Sequence, residues 1–383
     1  MKYFFVFLVL SLFACNQQKE QISDNDDAQH SSPWLDPHDF ELDLNGKKVG
    51  LYFLENNRGM RVAITNYGGR VVGLQVPDTS GQKVDVVCGF KTLEEYLEAK
   101  TKFYGALIGR VANRTGKGRF ELEGKVYQLS INNGENNLHS GELGFHQQVW
   151  RVLQVGKNFL RLEYVEPHMA AGFPGNLKVE VIYELTADNE LKQSYRAESD
   201  QTTVINMTNH SFFNLNGEGS GTVLQHSLEI AANHYLPLDD HQLPTHPNAV
   251  EGGPFDFRSF KTIGQDIAAP HEQLQKGSGY DHTFVFKKGK TREAEKVVTI
   301  IGDISNIQMT VLSTEPSMQF FTGNFMKSEH QFKSGAKDDF RTAFCLECQH
   351  FPNAVNRPDF PSIILKAGEE YRSQTIWRFN GGD

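Results

Sequence analysis

Lys178-Val179-Glu180-Val181-Ile182-Tyr183-Glu184-Leu185 decides the fold class of this chain. Val179, Val181, Tyr183 and Leu185 alternate with Lys178, Glu180 and Glu184, and Ile182 alone breaks the alternation. Successive side chains of a strand point to opposite faces, so a period of two predicts a half-buried β-strand. The same signal recurs on both sides. Residues 119–129 read as a hairpin turning at Glu123-Gly124, and residues 42–53 as another turning at Asn45-Gly46. Residues 61–76 read as two strands broken at Gly68-Gly69, and 362–365 and 371–379 as the last strands. Helical signals are few: Thr92 followed by Glu95 forms a capping box before a short surface helix. Residues 35–383 contain no fixed-period repeat and no Pro/Ser-rich linker. The expected fold is therefore all-β: one large antiparallel domain, a sandwich of long curved sheets.

Bulk composition narrows the function. Of 383 residues, 39% are hydrophobic, 22% are charged and 34 are glycine, the profile of a folded, turn-rich protein. The 38 basic and 47 acidic residues give a net charge of −9, and no run of like charges forms a nucleic-acid arm or a basic membrane patch. Nucleic acid is not an expected partner. Met1-Lys2 and the apolar run 3–14 have the form of a signal segment, too short for a permanent span. The end of that run, Leu12-Phe13-Ala14-Cys15, resembles a bacterial lipobox, which makes Cys15 the expected lipidation site and residues 1–14 the signal peptide. Residues 15–34 are polar and read as a flexible tether. These readings predict an exported protein of the periplasm or cell envelope, touching membrane only through its anchor. Cys345 and Cys348 form a C-x-x-C, but on a strand residues three apart face opposite ways, so neither a shared metal nor a redox pair is expected.

The chemistry concentrates in a few polar segments beside aromatic residues. Thr208-Asn209-His210-Ser211-Phe212-Phe213 sets a histidine among small polar groups. Histidine titrates nearest neutral pH, so His210 can serve as a proton shuttle; the plainer reading is a core histidine satisfied by Asn209 or Ser211. Glu347, within Cys345-Leu346-Glu347-Cys348-Gln349, falls on the strand face opposite Leu346. A carboxylate and an imidazole across one pocket can run a two-proton reaction. Asn113, Arg114, His139 and Asp281 offer the donors and acceptors that orient sugar hydroxyls, although each alone also reads as a surface, loop or turn residue. No phosphate loop and no G-x-S-x-G elbow is present. His234, His241 and His246 read as solvated loop histidines, so neither a catalytic metal nor a cofactor is expected.

Taken in order, Asn66-Tyr67-Gly68-Gly69, Gly109-Arg110-Val111-Ala112-Asn113-Arg114, Asn137-Leu138-His139-Ser140-Gly141, Thr208-Asn209-His210-Ser211, Gly279-Tyr280-Asp281-His282, Gln319-Phe320-Phe321-Thr322-Gly323-Asn324 and Glu347 through Pro361 resemble the aldose 1-epimerases, or galactose mutarotases. The resemblance runs over about residues 38 to 380. It implies a β-supersandwich fold and interconversion of the α and β anomers of free hexoses such as galactose and glucose. It implies Glu347 as general base, His210 as general acid, and Asn113, Arg114, His139, Asp281 and Gln319 around the sugar. No cofactor is implied, and a monomer or weak dimer is expected. Ser140 departs from the family pattern, which often carries glycine there. Two other readings use the same residues: a glycosidase or lyase with Glu347 and Asp281 as paired carboxylates, and a sugar-binding lipoprotein without catalysis.

Overall fold

A computed structural model of the chain describes residues 1, 2 and 34–380, so the signal-peptide and Cys15 readings lie outside the described residues. From Leu35 onward the described residues form one compact unit. The stretch 178–185 lies in strand Leu177–Leu185, whose odd-numbered residues are buried while the even-numbered ones are partly or fully exposed. Leu177, Val179, Val181, Tyr183 and Leu185 are completely buried, and each such aliphatic or aromatic side chain contributes about 1.5–3 kcal/mol of transfer free energy. Ile182, the residue that breaks the alternation, faces the partly exposed side and pairs with Ser194 and Arg161.

This strand sits in a nine-stranded antiparallel sheet in the order Arg151–Val155, Phe159–Glu166, Leu177–Leu185, Glu190–Ser199, Glu370–Asn380, Gln308–Ser313, Glu295–Ile301, Ser227–Ile230, Lys261–Thr262. A five-stranded sheet runs Asn248–Ala249, Ala232–Leu236, Asp281–Phe286, Ser317–Phe321, Cys345–Gln349. A four-stranded sheet runs Leu51–Glu55, Arg61–Thr65, Arg70–Pro77, Lys83–Asp85. One continuous apolar cluster joins the inner faces: Val181 and Tyr183 from the first, Phe284 and Phe320 from the second, Val62 and Leu74 from the third. The fold is all-β, with large antiparallel sheets packed face to face.

The hairpin turning at Glu123-Gly124 is present as Arg119–Leu122 with Lys125–Gln128; the one turning at Asn45-Gly46 pairs Leu42–Leu44 with Lys47–Val49 and stops there, because Gly50 intervenes and Leu51–Glu55 pairs instead with Arg61–Thr65 in the four-stranded sheet. Thr92 caps helix Leu93–Glu98 by the expected capping box, its hydroxyl accepting from the Glu95 amide while the Glu95 carboxylate accepts from the Thr92 amide. Gly68 and Gly69 mark more than a break. Both have positive φ, and a Cβ on Gly69 would stand 2.3 Å from Leu107 Cδ1, so only glycine lets the strand containing Leu107 pack there. That strand, Ala106–Ile108, is the hydrogen-bonded neighbour of the His210 strand. Among the described residues no helix is long and apolar enough to cross a membrane.

A further sequence expectation is corrected. His234 lies on strand Ala232–Leu236, paired with Ala249 and Val285, and not in the loop that holds His241 and His246. The alternation there is too short to recognise, because a bulge interrupts the strand between Ala232 and His234.

Candidate active site

Three neighbouring strands build one wall. In the five-stranded sheet Thr283 pairs with Gln319, and Gln319 with Glu347. Directly paired residues share a face, so Gln319 and Glu347 project together, and Asp281 joins them two residues from Thr283. Gln319 ties the row: its Nε2 donates to Asp281 Oδ1 at 2.7 Å, and its Oε1 accepts from the Thr283 hydroxyl at 2.6 Å.

The opposite wall comes from shorter segments. His210 ends strand Thr208–His210, which pairs with Ala106–Ile108. Arg114 begins the two-residue strand that pairs with Asn137–Leu138, bringing Asn113 against His139. Asn113 and His139 both have positive φ and are locked by two hydrogen bonds, the His139 N–H to the Asn113 carbonyl and the Asn113 N–H to the His139 side-chain Nδ1, each 3.1 Å. Ser140 tightens the same junction: its hydroxyl accepts from the Val111 amide at 2.9 Å and returns a hydrogen bond to the Val111 carbonyl.

All seven residues expected at the site, Asn113, Arg114, His139, His210, Asp281, Gln319 and Glu347, line one cavity of about 210 Å³. Phe103, Phe212, Phe321 and half-exposed Phe325 supply flat apolar surface to it. A larger, open cleft of about 660 Å³ around His350, Lys290 and Arg372 lies elsewhere; its buried imidazole is already paired with Glu315. Size alone does not locate the chemistry.

The plainer reading of His210 fails on geometry. Asn209 points away, donating to the Gly105 carbonyl and Tyr183 hydroxyl, and Ser211 donates to Asn209. Neither satisfies His210, whose ring is stacked between Phe103 at 5.6 Å and Phe212 at 5.0 Å. Its Nε2 is 3.6 Å from Glu347 Oε1, while His210 Nδ1 and Glu347 Oε2 have no hydrogen-bond partner within the protein. Burial pushes His210 down to about 4, its own carbonyl working weakly against that. Burial drives Glu347 well above the usual carboxyl range, with the Asp281 charge adding and the Arg114 charge opposing. Both directions favour the uncharged forms at these buried positions.

His139, His210 and Glu347 bring ligand atoms within 4.8 Å of one another, a spacing that could suit a metal. The donor chemistry does not fit. His139 Nδ1 accepts the Asn113 amide proton, and burial holds the ring neutral, so the remaining ring proton is on Nε2. The free nitrogen of His139 is thus a hydrogen-bond donor, suited to a sugar oxygen and not to a cation.

Cys88, Cys345 and Cys348 are free and buried, and burial raises each thiol above its ordinary range. Cys345 stands on the Glu347 side of its strand, whereas Cys348 lies by Ser313 and Thr375, in line with the opposite faces expected. Sequence reasoning did not name Phe103 or Asn133, and it quoted Phe321 within a motif without giving it a role. They sit in loops or apolar runs where no spacing separates a cavity wall from a core.

A buried imidazole–carboxyl pair flanked by polar side chains and aromatic faces on a β-sandwich marks a site fitted to a polyhydroxylated, carbohydrate-like ligand. The aldose 1-epimerase family model matches residues 50–378. The galactose mutarotase of Sus scrofa is 43% identical over 84% of this chain and 91% of its own length. The aldose 1-epimerase of Escherichia coli K12 is 34% identical over 88% of this chain and 96% of its own. Among solved structures, the aldose epimerase homologue from C. elegans superposes with a TM-score of 0.80 at 26% identity, covering 88% of this chain and all of that one. The chain belongs to the aldose 1-epimerase family.

Proposed function

We propose that the protein interconverts the α and β anomers of free hexoses, galactose and glucose among them, with His210 and Glu347 as the proton-transfer pair. The ring oxygen and the anomeric hydroxyl are both bonded to C1, so two groups that face each other at 3.6 Å across the cavity reach both. Glu347 takes the O1 proton as the C1–O5 bond breaks and C1=O1 forms, and His210 Nε2 delivers a proton to O5. Rotation about C1–C2 followed by the reverse transfers closes the other anomer. Acid and base exchange roles on closure, so the enzyme returns unchanged.

The observation that carries this reading is the 3.6 Å approach of His210 Nε2 and Glu347 Oε1 inside the cavity. The reaction requires one proton on the pair. Neutral His210 beside protonated Glu347 and charged His210 beside ionised Glu347 have the same proton count, and they interconvert by one transfer. Arg114, together with the sugar hydroxyls, favours the ionised form. Asn113, Arg114, His139, Asp281 and Gln319 orient the ring, and with Nδ1 of His139 occupied by the Asn113 amide its Nε2 proton is left to donate to a sugar oxygen. The test is polarimetry on fresh α-galactose and α-glucose: the purified protein speeds the approach to equilibrium rotation, and kinetics equal to the buffer alone would reject the reading.

The apolar run 3–14 and Cys15 support export with a lipid anchor at Cys15, on which the enzyme would act on free sugars outside the inner membrane. Metabolic labelling with a fatty acid tests this: label that Cys15→Ser abolishes supports the anchor, and no label on the native protein rejects it.

A further inference from the structure

We infer that Gln242, which lies outside the sugar cavity, is a positioning residue: with Asn133 it holds the Arg114 guanidinium at the cavity wall through neutral amide oxygens, fixing its direction without cancelling its charge. The inference rests on the mutarotase reading of the cavity. Arg114 Nε donates to Asn133 Oδ1 at 3.0 Å, and its NH2 donates to Gln242 Oε1 at 2.6 Å. The nearest carboxylate oxygen, Asp281 Oδ2, is 4.0 Å away, and NH1 has no partner among the described residues. A guanidinium presents its donors in one rigid plane, so fixing Nε and one terminal nitrogen sets the direction of the other. Two amide acceptors do this and add no charge of their own, whereas a carboxylate at either position would bring a second negative charge beside the one Asp281 already places 4.0 Å away.

The Gln242 loop is built to present that side chain. Gln242 has φ +60, a left-handed conformation unfavourable for a residue with a Cβ. The turn is closed by Asp239, whose carboxylate accepts from the His241 and Leu243 amides, and Asn136 hooks it through the His241 carbonyl at 2.8 Å. Asn133 and Asn136 belong to the loop on the other side of Arg114, so two loops far apart in sequence meet on one guanidinium. The retained charge has a use, since Arg114 is the group that opposes the upward shift of Glu347.

Two substitutions in the full-length protein separate direction from charge. Gln242→Met removes the acceptor at similar size; the expected result is a KM for galactose raised about fivefold or more, kcat within about twofold, and an unchanged melting temperature. Gln242→Glu restores an acceptor but offsets the Arg114 charge. It is expected to return KM to within about twofold of the native value while the alkaline limb of the kcat/KM profile, governed by Glu347, moves to higher pH. A native KM in Gln242→Met, or an equal rise of KM in both variants, would overturn the inference. A native protein without any rate enhancement would instead overturn the mutarotase reading itself.

Discussion

His210 Nε2 stands 3.6 Å from Glu347 Oε1, two buried titratable groups facing each other with no hydrogen bond between them. Burial pushes the imidazole down to about 4 and the carboxyl well up, so over the neutral range the pair carries one proton. The acid limb of kcat/KM marks addition of a second proton to the free enzyme. It is therefore expected near pH 4, with a flat profile through pH 6.5. Anomerisation rates across pH 3.5–9, corrected for the buffer-catalysed reaction, check this; an acid limb near 6.5 would show an imidazole untouched by burial.

Acid lability follows from more than one histidine. Burial lowers His210 and His226 to about 4, His146 and His282 to about 3, and His139 well below its ordinary value. The unfolded chain takes up these protons near pH 6.5 and the native one does not, so the stabilisation is present above 6.5 and is lost as pH falls toward 4. Each group contributes up to about 1.4 kcal/mol per pH unit in that window. Scanning calorimetry at pH 7 and pH 5 is expected to show a fall in Tm of roughly 10 °C. A constant Tm would contradict it.

Arg110 lies in the motif that leads to Asn113 and Arg114, yet it does not line the cavity. It is wholly buried, with Nε 2.7 Å from Glu166 Oε2 and NH1 on the Pro174 carbonyl and the Thr203 hydroxyl. Glu166→Ala leaves that charge buried without its counter-ion, at an expected loss of about 3–5 kcal/mol by denaturant unfolding, with kcat unchanged at low temperature. A loss below about 1 kcal/mol would mean that the carbonyls alone suffice.

Ser140 is the departure from the family pattern to which the structure gives a task. Ser140→Ala leaves the buried Val111 amide without its acceptor, which costs about 1–3 kcal/mol. The Asn113–His139 junction is the adjoining segment, so KM for the sugar is expected to rise as stability falls. Equal KM in the variant would confine Ser140 to folding.

The β character was legible because Leu177–Leu185 alternates cleanly and buries one face. The hairpins at Asn45-Gly46 and Glu123-Gly124 were legible because the left-handed turns they need are written in Asn-Gly and Glu-Gly. Asn113, Arg114, His139, His210, Asp281 and Glu347 were legible because each sits in a polar segment beside aromatic residues, whereas Gln319, inside an aromatic run, was implied only by the family resemblance. Phe103 and Asn133 were not, because nothing local distinguishes them from ordinary loop residues. Gln242 was hidden for another reason: its partner Arg114 is 128 positions away, and only the folded chain brings them together. The sheet order was equally illegible, since strand Glu190–Ser199 pairs with the last strand, Glu370–Asn380, by long-range register.

The most direct test of the one-proton pair is anomer-exchange NMR on galactose with native protein, His210→Asn, Glu347→Gln and the double variant. If the two residues pass protons as a unit, each single substitution removes about 10²–10⁴ of the enzymatic rate and the double variant loses scarcely more than either. A single variant within about tenfold of native, or losses that multiply in the double variant, would contradict the account.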